Sequence, residues 1–286
     1  MAQNNIVLAL IGKGKWGQSY IKTISKLKNC ILPPQNIKTS DYADLLDNNN
    51  ISGVIIASPT VTHYTIAKAF LEKGFNILVE KPITKTYDEA LKLQKIALKH
   101  PQQTIMAGHL QLYNPGYQLF KNLLPRIGII KSLEYLGLQS PIRIDATVVE
   151  DWGAHPTYLF MDILGQGPQL VKAEKEKHDN IKLTYLFKNK TTGYANIGWI
   201  SKVKKRLLII NGNKGKLTLD DLNKKIILKI DEHSSVYSFE NKTNPLQLEL
   251  IEFISSIKEK RQPISNMKQA VSVMKILDRL NQSLQP

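Results

Sequence analysis

The sequence has 286 residues, 42% hydrophobic and 22% charged, which fits a folded chain with one large domain or two modest ones and excludes a disordered one. The formal net charge of +15 suits anionic ligands, but lysines are scattered, arginines are few, and the densest run, KVKKR at Lys202–Arg206, lacks an aromatic stacking pattern, so no nucleic-acid partner is expected. A single cysteine, Cys30, excludes an internal disulfide framework and a cysteine-rich metal cluster.

The start, Met1–Asn5, is polar, and no uninterrupted run of about 18 apolar residues occurs, so a soluble, cytoplasmic protein without a membrane partner is expected. Asn5–Ile11 reads as a buried strand, and Gly17–Lys28 as a helix with Tyr20, Ile21, Ile24 and Leu27 on one face. A turn-rich piece with Pro33 and Pro34 follows, then SDYADLL, where Ser40 can cap a short helix. Gly53–Ser58 is a second apolar strand. Pro59 suits the start of a helix over about Thr62–Lys73, Gly74 ends it, and NILVE is a third strand. Strands unbroken by polar positions and alternating with helices predict an α/β fold, a Rossmann-like parallel sheet covered on both faces.

From about residue 109 the texture changes. KSLEYLGL, KLTYLFK, GYANIGWI, RLLIING, KLTLD and KIILKI follow one another with turn signals such as NGNKG, which predicts an α+β domain with a largely antiparallel open sheet. Two amphipathic segments, LQLELIEFISSI and NMKQAVSVMKILDRL, close the chain as helices. The expected domains are 1–108, binding a dinucleotide, and 109–286, binding substrate.

Gly12, Gly14 and Gly17 fit G-x-G-x-x-G between the first strand and the first helix. The first glycine permits the tight turn, the second lets backbone approach a pyrophosphate, and the third lets helix and strand pack closely. An acid about 20 residues on usually binds the ribose hydroxyls, yet none occurs between Gly17 and Asp41, and the second βα unit is too short for a full strand and helix. Two readings stay open: other groups hold the adenosine end, with Lys13, Lys15 or Lys38 suiting a 2′-phosphate, or cofactor affinity is lost.

The stretch VIIASPTVTHYTIAKAFLEKGFNILVEKPIT, with Ser58, Pro59, His63, Glu80, Lys81 and Pro82, closely resembles the glucose-fructose oxidoreductase and inositol dehydrogenase family (Gfo/Idh/MocA). The likeness continues through Gly108, His109, Tyr113, Asn114 and Pro115, and through RIDATVVEDWGAHPTYLFMDILG. It implies a Rossmann domain binding NAD or NADP, with Gly12, Lys13, Gly14, Lys15, Trp16, Gly17, Ser58, Pro59, Thr60, His63, Glu80 and Lys81 around the cofactor. It also implies a second domain whose open sheet mediates a homodimer or homotetramer. The YNP and DWGAH stretches are similar to members that oxidise the 3-hydroxyl of UDP-linked amino sugars.

Oxidising a secondary alcohol needs a hydride acceptor, a base and groups that fix the substrate. Lys81 follows a parallel strand's carboxyl end, where open sheets place ligands, and can hydrogen-bond the reacting oxygen. Asp151 and His155 are four apart, so helical geometry puts them on one face; the resemblance makes His155 the acid/base and Asp151 the group that orients a sugar. Alternatively His155 caps a helix begun by Pro156, with Asp151 a solvated charge. Pro156 departs from the family pattern and disturbs the Asp–His geometry. His109, Tyr113 and Asn114 are substrate-lining candidates, and Arg143 and Asp145 either touch a sugar or pair with each other. No zinc spacing among the histidines and no G-x-S-x-G elbow is present, so no metal is expected. The rival to an oxidoreductase is a cofactor-sensing or scaffold protein that keeps the fold without turnover.

Overall fold

The computed structural model describes residues 5–39, 41–139, 146–176, 180–199, 204–240 and 243–285. Ser40, Arg143 and Asp145, for which roles are expected above, lie outside the described residues. The chain divides into two units, one of residues 1–110 with 243–274, the other of 111–242 with 275–286.

The first unit holds a six-stranded parallel sheet, β1 (Ile6–Ile11), β2 (Cys30–Ile31), β3 (Ile37–Lys38), β4 (Gly53–Ile56), β5 (Asn76–Glu80) and β6 (Ile105–Gly108). Strand β1 pairs with β4 on one side and with both β2 and β3 on the other. The registers Val7↔Ile31 and Leu10↔Ile37 show that β2 and β3 are two pieces of one edge strand, broken by a 3₁₀ turn at Pro34–Asn36. The two prolines cannot donate to the ladder, and where the backbone leaves it the Asn36 amide donates to the Leu8 carbonyl at 3.2 Å. The helix expected after this strand is a single 3₁₀ turn, Ala43–Leu45, so the second βα unit is shortened as its sequence implies.

Helices α1 (Lys15–Ile24), α2 (Thr60–Glu72) and α3 (Tyr87–Ala97) connect these strands. Helix α1 begins two residues earlier and ends sooner than the apolar pattern suggests, while α2 starts at Thr60 with Pro59 as its N-cap and ends before Gly74, whose φ is +80°. Helix α3 opens with a capping box between Thr86 and Glu89. Helix α6 (Pro245–Glu259) returns to this unit and packs so closely on β4 that a Cβ at Gly53 would lie 2.9 Å from Ile257.

The second unit contains an eight-stranded sheet in the order β14-β13-β12-β11-β7-β10-β9-β8. Its strands are β7 (Ile130–Leu138), β8 (Leu170–Lys175), β9 (Ile181–Leu186), β10 (Thr192–Gly198), β11 (Lys205–Gly212), β12 (Lys216–Asp220), β13 (Lys225–Ile230) and β14 (His233–Ser238). Only β7 and β10 pair in parallel; the other neighbours are antiparallel. Leu133, Tyr135, Ala195, Leu208 and Leu228 point to a buried face, near helices α4 (Pro115–Leu123) and α5 (Ala154–Leu164), and alternate with more accessible residues on the other face. The last helix, α7 (Met267–Gln282), starts in the first unit and ends in the second.

Candidate functional site

In the first unit the carboxyl ends of four neighbouring parallel strands share one edge, the place where open α/β sheets bind ligands. Gly12 follows β1, Ala57 and Ser58 follow β4, Glu80 and Lys81 close β5, and Gly108 and His109 close β6. The chain leaves β1 for one side and returns on the other at β4, so the topological switch lies between them. The three glycines have three different reasons to lack a side chain. Gly12 has φ +107°, and a Cβ there would lie 2.4 Å from the Ala57 oxygen. One at Gly17 would lie 2.0 Å from the Gly12 oxygen, which lets α1 pack on the turn. Gly14 has nothing within 4 Å. It is also the N-cap of α1, with no side-chain cap and no acid in the first turn. Open space before helical N–H groups is what a pyrophosphate requires, and the helix dipole favours its charge. The residues present therefore fit a dinucleotide.

Around this loop Lys13 and Lys15 are exposed and Trp16 is 43% exposed. Lys38 makes an ion pair with Asp44 at 2.5 Å, and its carbonyl accepts from the Gly12 N–H. Ser58 shares a 2.7 Å hydrogen bond with Thr62, and Thr60 opens α2. His63 is buried, with Nδ1 2.9 Å from the Pro82 oxygen and Nε2 2.9 Å from the Ser58 oxygen, so one ring ties the loop after β4 to the loop after β5. Burial pushes its pKa down, while the two carbonyls favour the doubly protonated ring. His109 is buried, with Nδ1 2.7 Å from the Gln269 side-chain oxygen, and burial lowers its pKa to about 4. Lys81 adds to that lowering through its charge, which places its ammonium within electrostatic reach of His109. Glu80 is buried, accepts from the Lys81 N–H at 3.1 Å and from the Tyr20 hydroxyl at 2.9 Å. A Cβ at Gly108 would lie 3.1 Å from its carboxylate.

In the second unit Asp151 sits in a π-helical turn, Val149–Gly153, that runs straight into α5. The helical run begins at a capping box: Thr147 N–H donates to Glu150 at 2.7 Å and Glu150 N–H donates to the Thr147 hydroxyl at 3.2 Å. Pro156 is thus the third residue of α5, not its start, and His155 is not a cap. A proline ring crowds the carbonyl four residues back and supplies no N–H; a wider turn directly before it relieves both problems. Asp151 is buried and accepts from the Trp199 indole N–H at 3.1 Å. His155 is half-buried, its Nδ1 2.7 Å from the Tyr158 hydroxyl and its ring 5.4 Å from that of Trp152. Tyr113 is buried at the end of a 3₁₀ turn. Asn114 caps α4 through a 2.8 Å bond from Gly116 N–H and donates to Asp221 at 2.7 Å, so its amide is engaged inside this unit. Arg206, from the basic run, pairs with the same Asp221 at 3.1 Å and lies over the Trp152 ring.

The partners of the expected site residues are not themselves evident in the sequence. Thr147 and Glu150 carry the S/T-x-x-E pattern that announces a helix start, and Tyr158 stands one helical turn beyond His155. Trp199, Tyr20 and Glu249 meet their partners across 48, 60 and 229 residues of chain, for which no local pattern exists. Among the described residues there is no cluster of His, Cys, Asp and Glu able to hold a metal, and no helix long and apolar enough to cross a membrane.

Residues 26–109 match the model of an oxidoreductase family with an NAD-binding Rossmann fold, GFO_IDH_MocA. The uncharacterized oxidoreductase YrbE of Bacillus subtilis is 27% identical over 135 residues, 41% of this chain and 39% of that protein. A UDP-N-acetylglucosamine 3-dehydrogenase of Acidithiobacillus ferrooxidans is 27% identical over 124 residues, 43% of this chain and 39% of its own. The chain thus spans about two-fifths of the length of these curated relatives. As a structure, the same dehydrogenase superposes with a TM-score of 0.84 over 98% of this chain and 99% of its own at 20% identity, which shows the shared fold. A solved structure from Magnetospirillum magnetotacticum MS-1 gives 0.85 at 26% identity, covering 96% and 99%. Residues 26–109 thus match the NAD-binding Rossmann segment of that oxidoreductase family, and the fold around them is shared with the solved structures.

Proposed function

We propose that the protein is an NAD(P)-dependent oxidoreductase that exchanges a hydride with a secondary alcohol or ketone of a sugar or nucleotide sugar. The observation that carries this reading is the open Gly14 at the α1 N-terminus, set between two glycines whose missing side chains are forced by packing. A bound nicotinamide supplies the hydride acceptor or donor. Lys81, at the end of β5, hydrogen-bonds the reacting oxygen, which stabilises negative charge developing there. His155 is the acid/base, oriented by Tyr158, and Asp151 positions a substrate hydroxyl while the Trp199 indole holds its carboxylate. With no acid after β3 before Asp41, the ribose end is held by other groups, and both NAD and NADP are candidates. The first unit is the dinucleotide-binding part and the second the substrate-binding part. The similarity to a UDP-N-acetylglucosamine 3-dehydrogenase and the +15 charge favour an anionic nucleotide sugar.

The accessible face of the second sheet is the proposed homo-oligomer interface. Tyr194, Ile227 and Val236 are 40%, 38% and 59% exposed there, beside Leu136, Leu207 and Ile209. These apolar residues, interspersed with Glu134 and Thr218 on the same face, offer exposed apolar surface that association would cover.

Titrating the folded protein with NADH and NADPH, followed by nicotinamide fluorescence, tests the reading. Saturable binding, weakened at least about tenfold by Gly14→Ala, is expected. A folded sample that binds neither nucleotide overturns the oxidoreductase reading in favour of a scaffold.

A further inference from the structure

Behind Lys81, entirely within the first unit, two carboxyl groups and one phenol are shut away together. Tyr20 on α1, Glu80 at the end of β5 and Glu249 on α6 are 0%, 8% and 0% exposed. The Tyr20 hydroxyl lies 2.9 Å from Glu80 Oε1 and 3.4 Å from Glu249 Oε2. Glu80 Oε2 receives the Lys81 N–H, whereas Glu249 Oε1 is buried with no hydrogen-bond partner among the described residues. The phenol has one hydrogen, so it can serve only one of the acids. If both were ionised, two negative charges would face one hydroxyl in a closed pocket, one of them with a bare oxygen, at a prohibitive desolvation cost. The cation that acts on Glu80 is Lys81, next to it in the chain, whereas the charge acting on Glu249 is that of Glu80.

We propose that Glu249 is a neutral carboxylic acid at physiological pH, its O–H facing the Tyr20 oxygen, and that it thereby directs the Tyr20 hydrogen onto Glu80 and keeps Glu80 the anion beside Lys81. Glu249 is then a positioning residue three links from Lys81: Glu249 to Tyr20, Tyr20 to Glu80, and Glu80 to the Lys81 backbone N–H. The neutral acid leaves only a carbonyl oxygen unpaired, which costs far less than an orphaned carboxylate. Electrostatics point the same way. Burial raises both acids, Glu249 well above the usual carboxylate range with Glu80 pushing it further, while Glu80 is drawn back by Tyr20 and by the charge and N–H of Lys81. Burial and the two acids hold the Tyr20 phenol far from ionisation, so it stays a donor.

The arrangement itself depends on no substrate; its catalytic meaning rests on the role proposed for Lys81. The test is infrared difference spectroscopy of the folded protein at neutral pH, reading the carbonyl stretch of a protonated carboxylic acid. The band is expected in the unmodified protein and in Glu80→Gln, and is expected to vanish in Glu249→Gln. A band that survives Glu249→Gln and disappears in Glu80→Gln, or no band in the unmodified protein, overturns the proposal. If Glu249→Gln fails to fold, a band kept by Glu80→Gln supports the assignment, and a band unmoved by Tyr20→Phe, which removes the oxygen that the Glu249 O–H faces, refutes it. Because the spectrum needs neither cofactor nor substrate, failure to find turnover would sink the oxidoreductase reading and leave this result standing.

Discussion

The glycine loop separates folding from binding at single atoms. Gly12→Ala combines a φ of +107° with a collision on the Ala57 carbonyl, so a loss of at least about 1–3 kcal/mol is expected, read as a lower denaturant midpoint. Gly14→Ala meets nothing within 4 Å and is expected to keep that midpoint while weakening NAD(P)H. Equal stability losses in both would show that Gly14 has no ligand-facing role. Lys81→Ala is expected to lower turnover of a responsive sugar substrate by about 10²-fold or more while the denaturant midpoint is kept. His109 supplies a pH test. Its folded pKa of about 4 lies below the ordinary 6.5, so the unfolded chain binds the extra proton and stability falls as pH drops from about 6.5 toward 4. The full effect is of order 3 kcal/mol. His109→Gln is expected to flatten that part of the stability profile; an unchanged slope would mean that His109 is not the group responsible.

At the level of elements, strands and helices with an unbroken pattern were legible. NILVE, KLTLD and KIILKI coincide with β5, β12 and β13, because continuous or strictly alternating apolar residues have one way to be buried. What the pattern could not carry was geometry that depends on a neighbour. The edge strand beside β1 appears in sequence only as CILPPQNIK, two dipeptides that count as strand solely because β1 lies alongside. Likewise Asp-x-x-x-His suggests one helical face, but the spacing does not announce the π turn, Val149–Gly153, that carries Asp151 into α5. The pair's types were readable, while their indole and phenol partners were not. The start of that helix rests on Thr147, and Thr147→Val is expected to cost about 1 kcal/mol; thermal unfolding would measure it, and no change would remove the capping box as the element's anchor.

For the whole molecule, the two-part organisation follows from the switch between unbroken apolar strands and alternating ones, yet the assignment of the chain's end does not. Nothing in LQLELIEFISSI says which sheet its apolar face will cover. The proposed self-association through the open face predicts that Ile227→Lys combined with Val236→Lys shifts sedimentation toward a slower species at equal concentration with the second sheet still folded. Unaltered sedimentation would move the interface elsewhere.

Helix α6 has a consequence for how the protein is made. The β4 surface near Gly53 is closed by Phe253 and Ile257, which emerge from the ribosome roughly two hundred residues later. The first unit therefore cannot finish folding while the intervening chain is being synthesised. During translation its first 110 residues carry an uncovered apolar face, a window in which a chaperone would find this protein and an isolated N-terminal fragment would aggregate.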